Sequence, residues 1–266
     1  MPERHGHAFS TVDAQPDPDS WVAVLDRVRQ EPFYRAYKAR VVQLLALQPG
    51  RRYLEVGGGT GDDAREMASQ AEASVVMIDR SLTMARVARQ RGLRSVAVGD
   101  AHALPIQDSA VDGCWADRTF QHLAEPAAAL AELVRVTRPG GRLVIADPDY
   151  DTQVVDVADQ ALARRVLRYR ADRQLRNGAL AHRMAGLFSS AGLAEIQVEP
   201  MTLVVRDHLA VDGVLGLRSW AEGAQEAGLL SAADAARWPA LFDQAVATDR
   251  FLYAVTFFLT VGTKPG

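Results

Sequence analysis

The chain has 266 residues, 48% of them hydrophobic and 24% charged, which is the make-up of a globular protein with room for one α/β domain and an attached lid. The formal charge of −3 gives no electrostatic footprint for nucleic acid, and the single cysteine, Cys114, excludes an internal disulfide and a cysteine-rich metal site. "MPERHGHAFS" lacks the apolar core of a signal peptide and no apolar run reaches transmembrane length, so a cytoplasmic protein with no membrane partner is expected.

Residues 1–20 are polar and read as a flexible arm. Helical spacing follows over 20–31, on Trp21, Val24, Leu25 and Val28, and over 33–47, on Val41, Leu44 and Leu45. "QPG" at 48–50 closes the second helix. These two helices, 20–48, are expected to lid the domain. Strands and helices then alternate across a core of residues 49–150. "RRYLEV" is a strand and 61–71 a helix; "SVVMID" is a strand and 81–91 a helix. "RSVAVG" and "VDGCWA" are the next strands. Pro126 suits the first turn of a helix running to Arg138, "PGG" stops it, and "RLVIAD" is the fifth strand. Continuously apolar strands alternating with helices predict a parallel sheet covered on both faces, hence a doubly wound, Rossmann-like α/β fold. Residues 151–266 read differently, as substrate-side helices and two last strands. They comprise an arginine-rich helix over 152–176, another over 178–190, the strand "AEIQVEPMTLVV", two helices within 208–248 and the strand "FLYAVTFFLTVG".

"YLEVGGGTGDD" carries the first chemistry. Gly57, Gly58, Gly59, Thr60 and Gly61 separate a strand from a helix, where backbone freedom lets a ligand approach the chain closely. A triphosphate loop needs Lys and Ser/Thr after the last glycine, but Asp62 and Asp63 stand there. The same aspartates oppose the pyrophosphate of a dinucleotide and tolerate a ligand with a positive centre and an amino group. Glu55 adds a carboxylate. Asp79 ends the second strand, where an acidic group accepts from ribose hydroxyls. Asp100 and Ala101 end the third, where a carboxylate beside backbone N–H groups suits an adenine edge.

In order, "YLEVGGGTG", "VVMIDRS", "VGDAHALPI", "DGCWADRTFQHL" and "RVTRPGGRLVIADPD" resemble the motifs of class I S-adenosylmethionine-dependent methyltransferases, over about residues 40–150. The resemblance implies a seven-stranded sheet of order 3-2-1-4-5-7-6 with strand 7 antiparallel. It implies S-adenosyl-L-methionine as cofactor and S-adenosyl-L-homocysteine as product. The glycine loop would lie along the methionine part. Asp79, with Arg80 and Met84 beside it, would hold the ribose, Asp100 and Ala101 the adenine. Asp117 and Arg118 would complete the cofactor contacts. The family's usual small residue or cysteine is replaced by Gly58, a mild departure.

Transfer of a methyl from a sulfonium is an in-line displacement that depends on positioning, and a base assists when the acceptor is a hydroxyl or acidic carbon. "WADRTFQHL" ends the fourth strand, so Asp117, Arg118, Gln121 and His122 face the expected acceptor, with His122 as candidate base. Arg118 is expected to pair with Asp117. Tyr34 and Tyr37 share a helix face and are candidate acceptor contacts, one of them more safely a core residue. Asp149 and Tyr150, after the fifth strand, are candidate pocket residues; Asp147 is a candidate cap for the helix at 152. No metal is expected from the D-x-D pattern alone, and Cys114 reads as core. The histidines at 5, 7, 102, 182 and 208 lack a ligand-like spacing. The expected function is methyl transfer to an O, N or C atom of a small, natural-product-sized acceptor, by a monomer or homodimer. A non-methylating cyclisation or rearrangement on the same cofactor, and a non-catalytic binding role, stay open.

Overall fold

The computed structural model describes residues 8–207 and 216–266. Its sheet has the order β3-β2-β1-β4-β5-β7-β6, as the resemblance implies. The strands are β1 Arg52–Val56, β2 Ser74–Asp79, β3 Val96–Val98, β4 Val111–Asp117, β5 Thr137–Val155, β6 Ala194–Val205 and β7 Tyr253–Thr263. β1 to β5 pair in parallel and β7 runs antiparallel to both neighbours. Central strands are buried on both faces, and Leu54, Met77, Cys114 and Val144 are each 0% exposed. That burial is why their sequence is continuously apolar rather than alternating. Cys114 is a core residue, as expected.

The helices of the first half follow the sequence closely. α1 spans Pro18–Gln30, α2 Pro32–Leu45, α3 Asp62–Ala71, α4 Leu82–Gln90 and α5 Pro126–Val136. Two expectations fail. The arm expected to be flexible is ordered where described: Ala8–Ala14 forms a 3₁₀ segment and Val12 is buried. Its anchor is Asp13, which accepts from the Leu82 N–H at 2.7 Å, the Thr83 N–H at 3.1 Å and the Ser81 hydroxyl at 2.8 Å. The unpaired N–H groups at the start of α4 attract that carboxylate. Residues 1–7, with His5 and His7, lie outside the described residues.

The helix expected over 152–176 also fails. β5 runs on to Val155, because Val154 and Val155 pair with Ala254 and Tyr253 of β7. β-branched residues beside an available antiparallel partner prefer the sheet. What remains is α6, Gln160–Tyr169, capped by Asp159, and a π-helical turn Arg170–Gln174. The helix expected over 178–190 shortens to a 3₁₀ turn, Ala181–Arg183, and α7, Met184–Ser190. Two further helices, α8 Trp220–Glu226 and α9 Ala232–Ala247, sit where the 208–248 segment is expected to divide; residues 208–215, with His208, lie outside the described residues.

Among the described residues no helix is long and apolar enough to cross a membrane.

Tyr34 and Tyr37 both enter the core. With Phe33 and Phe257 they form an aromatic cluster with ring centroids 5.1–5.9 Å apart, a geometry that adds to their area burial. This cluster fastens α2 to β7 and brings the next residue of α2's polar side, Lys38, to the end of β4.

Candidate active site

A cavity of about 420 Å³ opens at the carboxyl ends of β1, β2 and β4, where an open α/β sheet places its ligand crevice and within the size range of small-molecule sites. The glycine loop forms its floor. Gly57, Gly59 and Gly61 hold φ of +73°, +54° and +71°, which glycine adopts without steric cost. Gly58 has an ordinary φ, yet a Cβ there would lie 2.6 Å from both Glu55 Oε2 and Met77 Cγ. The departure from the family pattern at this position thus has a packing cause. Asp79 latches the loop: Oδ2 accepts from the Gly59 N–H and Oδ1 from the Ser81 N–H, each at 2.8 Å. Burial raises its pKa. A carboxylate has about four acceptor positions, so Asp79 keeps capacity for a ligand's hydroxyls.

The acidic pair after the loop is neutralised internally. Asp62 binds Arg91 and accepts from the Thr60 hydroxyl at 2.9 Å. Burial raises its pKa, but the hydrogen bonds from Arg91 and Thr60 outweigh that and leave it lowered. Asp63 binds Lys38 and, at 3.0 Å, Arg29. Lys38 Nζ also lies 2.9 Å from Asp117 Oδ2, and the Tyr37 hydroxyl donates to Asp117 at 2.7 Å. Burial pushes Asp117 up, but Lys38 and Arg118 hold it below the usual carboxylate range. Burial in turn lowers Lys38.

Glu55 differs from these. It is 2% exposed, accepts from the Trp115 indole at 3.1 Å through Oε1, and its Oε2 has no hydrogen-bond partner among the described residues. Burial pushes its pKa up to about 7.

Beyond β4, Arg118 takes φ +50°, a strained conformation of the kind functional sites retain. It lies 3.5 Å from Asp117, as expected, and stacks over Tyr34 at 5.2 Å. A 3₁₀ turn, Phe120–His122, follows. Asp147 accepts from the Phe120 N–H at 3.1 Å, so it caps this turn, not a helix at 152. Burial and the neighbouring Asp117 push Asp147 well above the usual carboxylate range. Gln121 and His122 stand on the cavity wall with Asp100, Ala101, Arg80 and Met84.

Four candidate residues lie elsewhere. Tyr34 and Tyr37 are in the core and off the cavity wall. Asp149 is 0% exposed and accepts from the backbone N–H of His182 at 2.8 Å and of Asp151 at 3.1 Å. Tyr150 stacks under Arg170 at 4.8 Å. The extension of β5 turns both inward. His182 meets Asp149 through Nδ1 at 2.6 Å, and one donor atom from each of Asp149, Asp151 and His182 falls within 4.8 Å. Both Asp149 oxygens already accept N–H bonds there.

The sequence profile of a family described as a methyltransferase domain matches residues 54–145. The chain is 38% identical to an uncharacterised 37.1 kDa protein in transposon TN4556 of Streptomyces fradiae, over 97% of this chain and 76% of that protein. It is 30% identical to the ubiquinone/menaquinone biosynthesis C-methyltransferase UbiE of Bordetella parapertussis, over 67% of this chain and 77% of that protein. It spans about half the length of several other quinone methyltransferases it matches. The fold is shared with Haemonchus contortus phosphoethanolamine N-methyltransferase 2, at a TM-score of 0.64 and 18% identity, over 100% of this chain and 62% of that one. The chain belongs to the class I S-adenosylmethionine-dependent methyltransferases.

S-adenosylmethionine is the methyl donor of this family. The site of this methyltransferase fits it on its own evidence. Gly57, Gly58 and Gly59 leave no side chain between ligand and backbone, and the unpaired Oε2 of buried Glu55 suits a ligand ammonium. Sequence reading missed several wall residues: Val12, Leu25, Arg29, Lys38 and His102; Arg176, in the arginine-rich segment, was legible as a candidate substrate contact. Lys38 had one signal, being one of only two lysines in an arginine-rich chain. His102 accepts from the Glu125 N–H at 3.2 Å while Asp100 holds its other nitrogen. The Glu125 contact joins residues far apart in the chain, and no local spacing announces it.

Proposed function

We propose that this methyltransferase acts on an oxygen, nitrogen or carbon of a small, natural-product-sized acceptor, leaving S-adenosylhomocysteine. When bound, the cofactor supplies an electrophilic methyl carbon. In this reading the Gly57–Gly61 loop and Glu55 hold the methionine end, Asp79 with Arg80 and Met84 the ribose, and Asp100 with Ala101 the adenine. Asp117 and Arg118 form the wall where cofactor and acceptor meet. α1, α2 and the 8–14 segment exclude water. His122 takes the acceptor's proton, and Gln121 orients it. Nucleic acid and membrane are not partners in this reading; the protein is cytoplasmic, a monomer or homodimer.

One observation carries the proposal: the same cavity joins a carboxylate-rich glycine floor to a wall bearing His122 on a braced turn. Relatives named as quinone C-methyltransferases support a ring carbon or its hydroxyl as acceptor. The test begins with calorimetric titration of S-adenosylhomocysteine, with NAD as control; micromolar binding of the first alone is expected. His122→Ala should keep that affinity and lose about 10²–10⁴-fold in turnover of methyl-labelled cofactor. A variant that keeps both affinity and turnover removes the base role. Consumption of acceptor without label transfer would favour the cyclisation reading instead.

A further inference from the structure

The cations on the cavity wall divide into two groups. Arg29 and Lys38 are tied to Asp63, and Arg118 lies against Asp117 and Tyr34. Arg80 and Arg176 line the cavity but enter no ion pair among the described residues. Arg80 follows Asp79 on the cofactor side, where its charge lowers the pKa of Asp100 after that residue's bonds to His102. Arg176 lines the same cavity as Gln121 and His122, and the residue after it is bonded to their turn.

The backbone that carries Arg176 is fixed on both sides. Leu175 before it is buried. Asn177 after it makes three hydrogen bonds to the turn that bears His122: its N–H to Gln121 O at 3.0 Å, and its amide nitrogen to Phe120 O at 3.0 Å and Leu123 O at 2.7 Å. Gly178 then accepts from the Tyr150 N–H at 2.8 Å and packs so tightly that a Cβ would meet Ala171 O at 2.5 Å. The whole segment follows a π-helical turn, a form concentrated at functional sites. So Arg176 is exposed and has no anion among the described residues, while its backbone is braced to the turn that bears the candidate base.

The adjoining wall is short of acceptors for it. Residues 118–124 contribute no carboxylate. Gln121, 5% exposed, has an Oε1 with no hydrogen-bond partner among the described residues. A charged fork that presents paired donors, beside an unpaired carbonyl oxygen, matches an oxyanion and a neighbouring hydroxyl or N–H on one ligand.

We infer that Arg176 is a specificity-determining residue that binds an anionic oxyacid group of the acceptor, with Gln121 receiving the acceptor's donor group. This rests on the methyltransferase reading above and narrows its substrate class to small anions, carboxylates or phosphate esters.

The test uses the full chain saturated with S-adenosylhomocysteine and ligand-observed NMR titration of three probes: 4-hydroxybenzoate, 4-hydroxyphenyl phosphate and the neutral 4-hydroxybenzamide. At least one anion should bind about tenfold more tightly than the amide, and the better of the two names the oxyacid class. Arg176→Gln should bring the anion to within about twofold of the amide, and Arg176→Lys should restore part of the preference. Equal affinity of all three probes, no detectable anion binding at the solubility limit, or an anion preference that survives Arg176→Gln overturns the inference. S-adenosylhomocysteine affinity is measured in parallel and should match between parent and Arg176→Gln. Its absence in the parent would sink the cofactor reading itself, a result separate from any loss of anion preference.

Discussion

The two ends of the cavity handle charge in opposite ways. At the glycine loop, carboxylates and cations are interlocked: Asp62 with Arg91, Asp63 with Arg29 and Lys38, Asp117 with Lys38 and Tyr37. The Glu55 Oε2 is left without a hydrogen-bond partner there among the described residues. At the other end, Arg176 has no anion among the described residues and the wall over residues 118–124 offers none. The first end is therefore part of the fold's stability as well as of its binding. The second contributes little to stability and is free to discriminate among ligands. Buried charges without partners are costly, so a site that must hold several carboxylates near one another has to carry its own cations. An exposed arginine carries no such requirement.

The contrast predicts a largest effect at Lys38. Lys38→Met should destabilise the protein by about 3 kcal/mol in urea unfolding, because two half-buried carboxylates, Asp63 and Asp117, lose a shared cation. Arg176→Met should stay within about 0.5 kcal/mol of the parent. Similar losses in the two variants would erase the distinction between the ends.

Glu55 gives a smaller effect with a sign. Its pKa rises from 4.5 to about 7 in the fold, so the folded state holds a proton that the unfolded chain has released. Stability therefore falls as pH rises from about 4.5 to about 7 and then levels. Glu55→Gln should be more stable than the parent by about 2 kcal/mol at pH 8 and no different at pH 4. The same variant should bind S-adenosylhomocysteine more weakly. Thermal melts across this pH range, paired with calorimetry, check both; a variant less stable than the parent at pH 8 contradicts the assignment.

The smallest effect concerns the 8–14 segment. The Asp13 pKa is lowered from 3.8 to about 2, where burial acts upward but is outweighed by hydrogen bonds from Thr83, Ser81 and Leu82. A depressed carboxylate stabilises above its unfolded pKa and loses that contribution as pH falls through the folded one. Pepsin should nick residues 8–14 faster as pH drops from about 4 to about 2. Asp13→Asn should be nicked readily at both pH values, and equal rates for parent and variant at pH 4 would remove Asp13 as the anchor.

Legibility followed the range of the contacts involved. The five motifs from Tyr53 to Asp149 lie on successive strand ends, so local pattern alone put Asp79, Asp100 and Asp117 along one edge. Their right-handed crossovers left little topological choice. The second half resisted because its elements depend on remote partners. Thr152 to Val155 became strand only because β7, about a hundred residues later, offers Thr256 to Tyr253. That extension drew Asp149 and Tyr150 away from the cavity. Asp13 was unreadable for the same reason, since its partners begin at Ser81.

By itself the sequence determined the α/β alternation and the acidic residues of the strand ends, because glycine spacing, strand apolarity and loop position are local properties, and its five motifs carried the resemblance that implies the cofactor class. Tertiary structure alone decided which charges remain available to a ligand. Lys38, Arg29 and Arg91 reach Asp62, Asp63 and Asp117 from separate helices and cancel them, while Asn177 sets Arg176 beside His122 without giving it an anion. Electrostatic pairing acts over a few ångströms in space, at distances along the chain that no spacing rule encodes.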